Sequence, residues 1–145
     1  MTFLNDEILN EIELARKVIC TEDCSFTVIK YGKIWKKTNE IGVKPILDSI
    51  TEMGEDIHGS IIGEKKLGKA SALLCRYAKA SGVYSPQGTK TAIALLIMGG
   101  VPCQVDSMIP AIDRFRDPGL YQVDGMVKDV NTPDEAYLIL KEKIL

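Results

Sequence analysis

The chain has 145 residues, 46% of them apolar and 26% charged, with a formal net charge of -2. That length suits one domain burying roughly 70% of its unfolded surface, and the near-neutral balance argues against a general nucleic-acid binder, which would be clearly basic. No apolar run approaches the ~20 residues of a membrane span, and the start "MTFLNDEILNE" is acidic where a signal peptide is basic, so a cytoplasmic location is expected.

Leu4, Ile8, Ile12, Ala15 and Ile19 recur at three- and four-residue spacing, which predicts an amphipathic helix from about Asn5 to Ile19. Cys20 and Cys24 follow in "CTEDC". A structural zinc site needs a second such pair or histidines. The chain offers only His58 and the isolated Cys75 and Cys103, so no metal is expected. "FTVIK" and "KIWKKT", separated by Tyr31-Gly32, read as a β-hairpin. Lysines interleaved with Tyr31 and Trp35 suit a nucleic-acid surface, but on a hairpin they serve more simply as cross-strand packing and edge protection. Pro45 opens a helix carrying Ile46, Leu47 and Ile50 inward, ending at Gly54.

From "GSIIG" the chain alternates. A short strand leads to a helix from Lys69 to about Ala80, then "VYS" forms a second strand. Ser85-Pro86 is expected to start a helix through "TAIALLIM", apolar nearly all round and therefore buried. "VPCQV" returns as a strand, residues 106–129 are mixed, and Thr132-Pro133-Asp134-Glu135 caps a final helix. Strand-helix-strand alternation predicts right-handed parallel crossovers, and hence a three-layer α/β/α sandwich.

The segment "IIGEKKLGKAS" carries the chemistry question. Gly63 to Lys69 has the Gly-x-x-x-x-Gly-Lys spacing of a phosphate-binding loop, but Ala70 stands where a magnesium-binding hydroxyl should be. Only Asp106 offers a candidate metal-binding aspartate after a later strand, and these losses from the motif argue against a standard nucleotide triphosphatase. A weaker reading survives, in which the loop ends a strand, opens a helix and holds an anion with Lys65, Lys66 and Lys69. Its alternative is a strain-relieving glycine with a solvated lysine rim. Lysine at a helix start is opposed by the helix dipole unless something anionic lies close.

"SIIGEKKLGKASALL", "GVYSP" and "MIPAIDRFRDPGL" together resemble a small prokaryotic domain-of-unknown-function family whose fold is similar to that of cytidine deaminases. The resemblance runs from Phe26 to Leu145. It implies a five-stranded mixed sheet between helices over residues 25–145, with residues 1–24 as an extra N-terminal helix. Deaminase chemistry itself is not expected. "IGVKP" and "KKLGKAS" stand where zinc ligands are needed, and Pro102-Cys103 lacks a second cysteine. Without a metal there is no activated water at neutral pH. The family pattern places Asn-Arg and Cys-Pro-x-Glu after the last core strand; here Asp113-Arg114 and Tyr121-Gln122-Val123-Asp124 stand at the matching positions, with no cysteine nucleophile.

The expected function is zinc-free binding of a small anionic metabolite, with nucleotides included, at the strand C-terminal ends. Its residues are Gly63, Lys66, Gly68, Lys69, Asp113, Arg114, Tyr121 and Asp124, with no cofactor. Arg114 is equally suited to pairing with Asp113 or Asp117, and Tyr121 to covering the core edge. Two alternatives stand beside this reading: an enzyme using Lys69 with Asp113 or Asp124, and a homo-oligomeric interaction module without a ligand.

Overall fold

The computed structural model describes residues 6–145. The expected helix start at Asn5, with Leu4, lies outside them. In chain order the elements are α1 (Asp6–Thr21), β1 (Phe26–Lys30), β2 (Lys33–Thr38), α2 (Lys44–Met53), a single 3-10 turn (Gly54–Ile57), β3 (Ile61–Glu64), β4 (Lys66–Leu67), α3 (Lys69–Tyr77), β5 (Gly82–Thr89), α4 (Lys90–Met98), β6 (Cys103–Ile109), α5 (Pro118–Met126) and α6 (Pro133–Ile144). The hairpin β1–β2 is antiparallel, β1 pairs antiparallel with β3, and β5 runs parallel to β3, β4 and β6.

Six strands occupy five positions. Ile61 of β3 faces Gly82 of β5, and Lys66 of β4 faces Gln87, so β3 and β4 are one strand interrupted at Lys65 and continued in the same register. The interruption has a cause in the sequence. Residues 64–65 fall opposite 85–86, and Pro86 has no N–H to give a ladder. On the other side the β1 pairing continues unbroken, the Lys65 amide donating to the Ser25 carbonyl at 2.9 Å. Pro86, expected at a helix start, thus sits inside β5. The helix that follows begins four residues later, where the Thr89 hydroxyl caps the Ala92 amide at 3.1 Å.

Period-two alternation divides the sheet into two faces. Phe26, Val28, Ile62 and Val83 point into the larger core, with Leu47 of α2, Leu73 and Leu74 of α3, Leu96 of α4 and Leu140 of α6. Ile29, Ile61 and Tyr84 point the other way, against Ile12, Ala15, Val18 and Ile19 of α1. Both crossover helices therefore lie on one face, and α1 is the layer that covers the other. The rings of Tyr77 and Tyr137 stack at 4.0 Å between centroids and fix α6 to α3. The expected burial of α4 holds on one side only, because Ile97 and Met98 are 66% and 75% exposed.

Gly63, expected at the ligand site, has a packing role. Its side of the sheet faces α1, and a Cβ there would lie 2.9 Å from Thr27 Cγ2 and 3.2 Å from Ile19 Cγ1. The missing side chain lets the helix sit close to the sheet. Gly63→Ala is expected to lower stability by about 1–3 kcal/mol, the usual range for overpacking. Urea unfolding followed by circular dichroism reads the loss, and an unchanged midpoint would contradict the close packing of α1.

Candidate functional site

Helix α3 starts with a lysine and no side-chain cap of its own, so its first amides need a partner from elsewhere. Asp124 of α5 supplies it. The Lys69 amide donates to Oδ2 and the Ala70 amide to Oδ1, both at 3.0 Å. Gly68 makes room, since a Cβ there would lie 2.4 Å from Asp124 Oδ2. The anion that a lysine-led helix calls for is thus built into the chain. Burial raises the Asp124 pKa, and the Ala70 and Lys69 amides with the Lys69 charge pull it back down.

Beside this cap lies a cleft of about 370 Å³ at the ends of β5 and β6, lined by Lys69, Thr89, Thr91, Ile112, Tyr121, Asp124 and Lys128 among others. Lys69 Nζ donates to the backbone carbonyl of Lys128 at 2.9 Å, and both residues line the cleft. Neither ammonium group forms a salt bridge among the described residues. The only carboxylate in the cleft, Asp124, is already engaged by two amides. The first turn of α4 (Lys90, Thr91) starts at the same place, so the positive end of its dipole adds to the field. Tyr121 is half exposed and presents an aromatic ring.

The structure separates the other expected site residues from this cleft. Lys66 pairs with Asp117 at 2.6 Å and lines a neighbouring cleft. Asp113 closes a local turn, with its Oδ1 accepting from the Phe115 amide at 2.8 Å and the Arg116 amide at 3.0 Å. Arg114 lies over the exposed ring of Phe115, 4.6 Å from its centroid. Of the eight expected residues, Lys69, Tyr121 and Asp124 line the cleft, and Gly68 supports it. Thr91 and Lys128 are additions that local sequence pattern did not single out, since each is an ordinary exposed polar residue until the strand ends bring them together. Among the described residues no His, Cys, Asp and Glu group is arranged to hold a metal ion. No described helix is long and apolar enough to cross a membrane.

Glu64 is the residue that sequence reasoning passed over. It ends "SIIGE", 4% exposed, with Oε1 accepting from the Ser71 hydroxyl at 3.0 Å and Oε2 buried without a partner. Burial pushes its pKa up to about 8; the Ser71 hydrogen bond opposes the rise and the Asp124 charge adds to it. The available signal was a carboxylate closing an otherwise apolar, fully buried strand.

The fold defines a three-layer α/β domain with a small-molecule-sized cleft at its strand ends. The chain belongs to the family described as "Domain of unknown function (DUF1893)", whose profile matches residues 14–144 and so takes in part of α1. The crystal structure of a DUF1893 family protein from Thermotoga maritima shares the fold, with a TM-score of 0.82 at 20% identity over 98% of this chain and 93% of that one. Form 2 of Acinetobacter baumannii RibD gives a TM-score of 0.48 at 14% identity, covering 86% of this chain and 39% of that chain. Form 1 of the same protein gives 0.48 at 12% identity, covering 84% and 38%. No curated protein sequence matches the chain.

Glu64 generates a pH dependence of definite sign. The folded state keeps its proton up to about pH 8, whereas the ordinary glutamate value is 4.5. Between those values the folded chain binds more protons than the unfolded one, so stability falls as pH rises. Glu64→Gln removes the effect while keeping shape and the acceptor for Ser71. Urea unfolding across pH 5 to pH 8 should show wild type losing stability relative to the variant, by at most about 1.4 kcal/mol per pH unit. Parallel curves for the two proteins would rule out a buried proton at Glu64.

Proposed function

We propose that this domain binds a small anionic metabolite in the cleft of Lys69, Lys128, Thr91 and Tyr121, with phosphorylated, ring-bearing compounds such as nucleotides as the best-fitting class. One observation carries the reading: two lysines without a salt bridge among the described residues line a cleft beside the N-terminal turn of α4. A phosphate group would receive charge-assisted hydrogen bonds from the lysines and amides. Tyr121 offers a face for a ring. The cleft's volume of about 370 Å³ suits a metabolite rather than a macromolecule.

Catalysis by Lys69 with Asp113 or Asp124 draws less support. Both carboxylates already accept backbone amides, and neither is free to take a proton without losing a cap or a turn. Binding is the simpler use of the arrangement.

A thermal-shift screen against nucleotides and phosphorylated metabolites tests this directly. A compound at about 100 times its dissociation constant adds about 2.7 kcal/mol, which moves the midpoint by several degrees. Lys69→Ala and Lys128→Ala should each weaken binding by roughly tenfold or more, as expected for the loss of a charged hydrogen bond worth about 1.5–3 kcal/mol. A screen with no shifts, or shifts untouched by both substitutions, would overturn the proposal.

A further inference from the structure

A second cleft, of about 210 Å³, lies where β3 breaks into β4, between the start of α2 and the start of α5. It lies alongside the lysine cleft but differs from it in charge. Lys66 and Asp117 line it and neutralise each other at 2.6 Å. Ile41 and Leu120 give it apolar walls, and Ser25 and Gln87 give it polar ends. Glu64 also lines it and carries the unpartnered Oε2. Native proteins leave few such atoms, because each costs about 1–3 kcal/mol.

We propose that this second cleft binds a small uncharged molecule with a hydrogen-bond acceptor, a carbonyl oxygen or unprotonated ring nitrogen, to which the Glu64 carboxyl group donates. The volume lies below the ~300 Å³ at which drug-sized sites begin, so the ligand is about the size of a single ring. An apolar groove with few convergent polar groups and a compensated ion pair recognises polarity without net charge. Lys65 also lines the cleft but is exposed to solvent, so its charge is screened, and an anion would face Asp117 and a carboxyl group. Oε2 is itself covered, so docking turns the carboxyl group about its terminal torsion, which is soft in glutamate. The proton is in place at neutral pH, since burial holds the Glu64 pKa at about 8.

The charged and titratable groups near Glu64 are Asp124 and Asp117 from α5 and its cap, Cys75 from α3, Lys66 from β4, and Lys65 at the break between β3 and β4. Burial pushes the Cys75 thiol well up, which keeps it neutral over the range tested. Saturation-transfer NMR with nicotinamide, uracil and 2-pyrrolidone as probes, and benzene as an apolar control, provides the test. The three acceptor-bearing rings should bind at pH 6.5 at least roughly tenfold more tightly than benzene, and lose about tenfold or more by pH 9.5 as Glu64 ionises. Glu64→Gln, which keeps a donor, should retain binding and lose the pH dependence, whereas Glu64→Ala should abolish it. Gln87→Ala, at the exposed rim, should weaken binding several-fold and serves as a second variant if Glu64→Ala fails to fold. Inorganic phosphate should leave the affinities unchanged, because the lysine cleft is separate. Failure of all three rings to bind wild type, equal binding of benzene, or affinity indifferent to pH and to Glu64 would each overturn the proposal.

Discussion

The contact on which the functional end of this molecule depends is the Asp124 carboxylate set against the first two amides of α3. It joins α5, which buries no residue of its own, to the central crossover helix. A carboxylate cap of this kind contributes about 0.5–2 kcal/mol to a helix. Here it also places Tyr121, Gly125 and Lys128 over the strand ends, because all belong to the same short segment. Lys69 follows from the same contact. Its backbone amide is paired, so its ammonium group is left to reach the Lys128 carbonyl across the cleft.

Proline 86 is the second constraint. A missing N–H in the middle of β5 splits the neighbouring strand between β3 and β4, and the cleft beside Glu64 lies at that break. The two clefts thus lie at two local departures from regular structure, a borrowed helix cap and an interrupted ladder. They differ in electrostatics because Lys66 has a carboxylate partner and Lys69 and Lys128 do not. The same sheet end thus carries one cleft lined by Lys69 and Lys128 and one lined by the Lys66–Asp117 ion pair.

Much of the fold was legible in the sequence, where the signals are local. The hairpin followed from β-branched runs around Tyr31-Gly32, α2 from Pro45 with its apolar stripe, and α6 from Pro133 with acids in the first turn. Pro86 was misread because proline serves equally well at a helix start and in an interrupted strand. Only pairing with β6 beyond it, Gln87 with Ser107 and Thr89 with Ile109, decides the case. Helix α5 gave no periodic signal, since no residue of it is buried. In the candidate site, Lys69 was legible as a cation needing an anion nearby. That the anion is Asp124, 55 residues away in the chain, depends on tertiary packing. Glu64 was hidden for the same reason: at the end of a strand a carboxylate looks solvated until α3 covers it.

The proposed anion site at Lys69 and Lys128 is most directly examined by an amide NMR titration of the intact protein with inorganic pyrophosphate, which carries the charge without a ring. A built anion site predicts saturable shifts confined to Lys69, Thr89 to Thr91 and Tyr121 to Lys128, with Glu64, Ser25 and Arg114 unmoved. Shifts that never saturate, or that follow the exposed lysines of the β1–β2 hairpin instead, would contradict it.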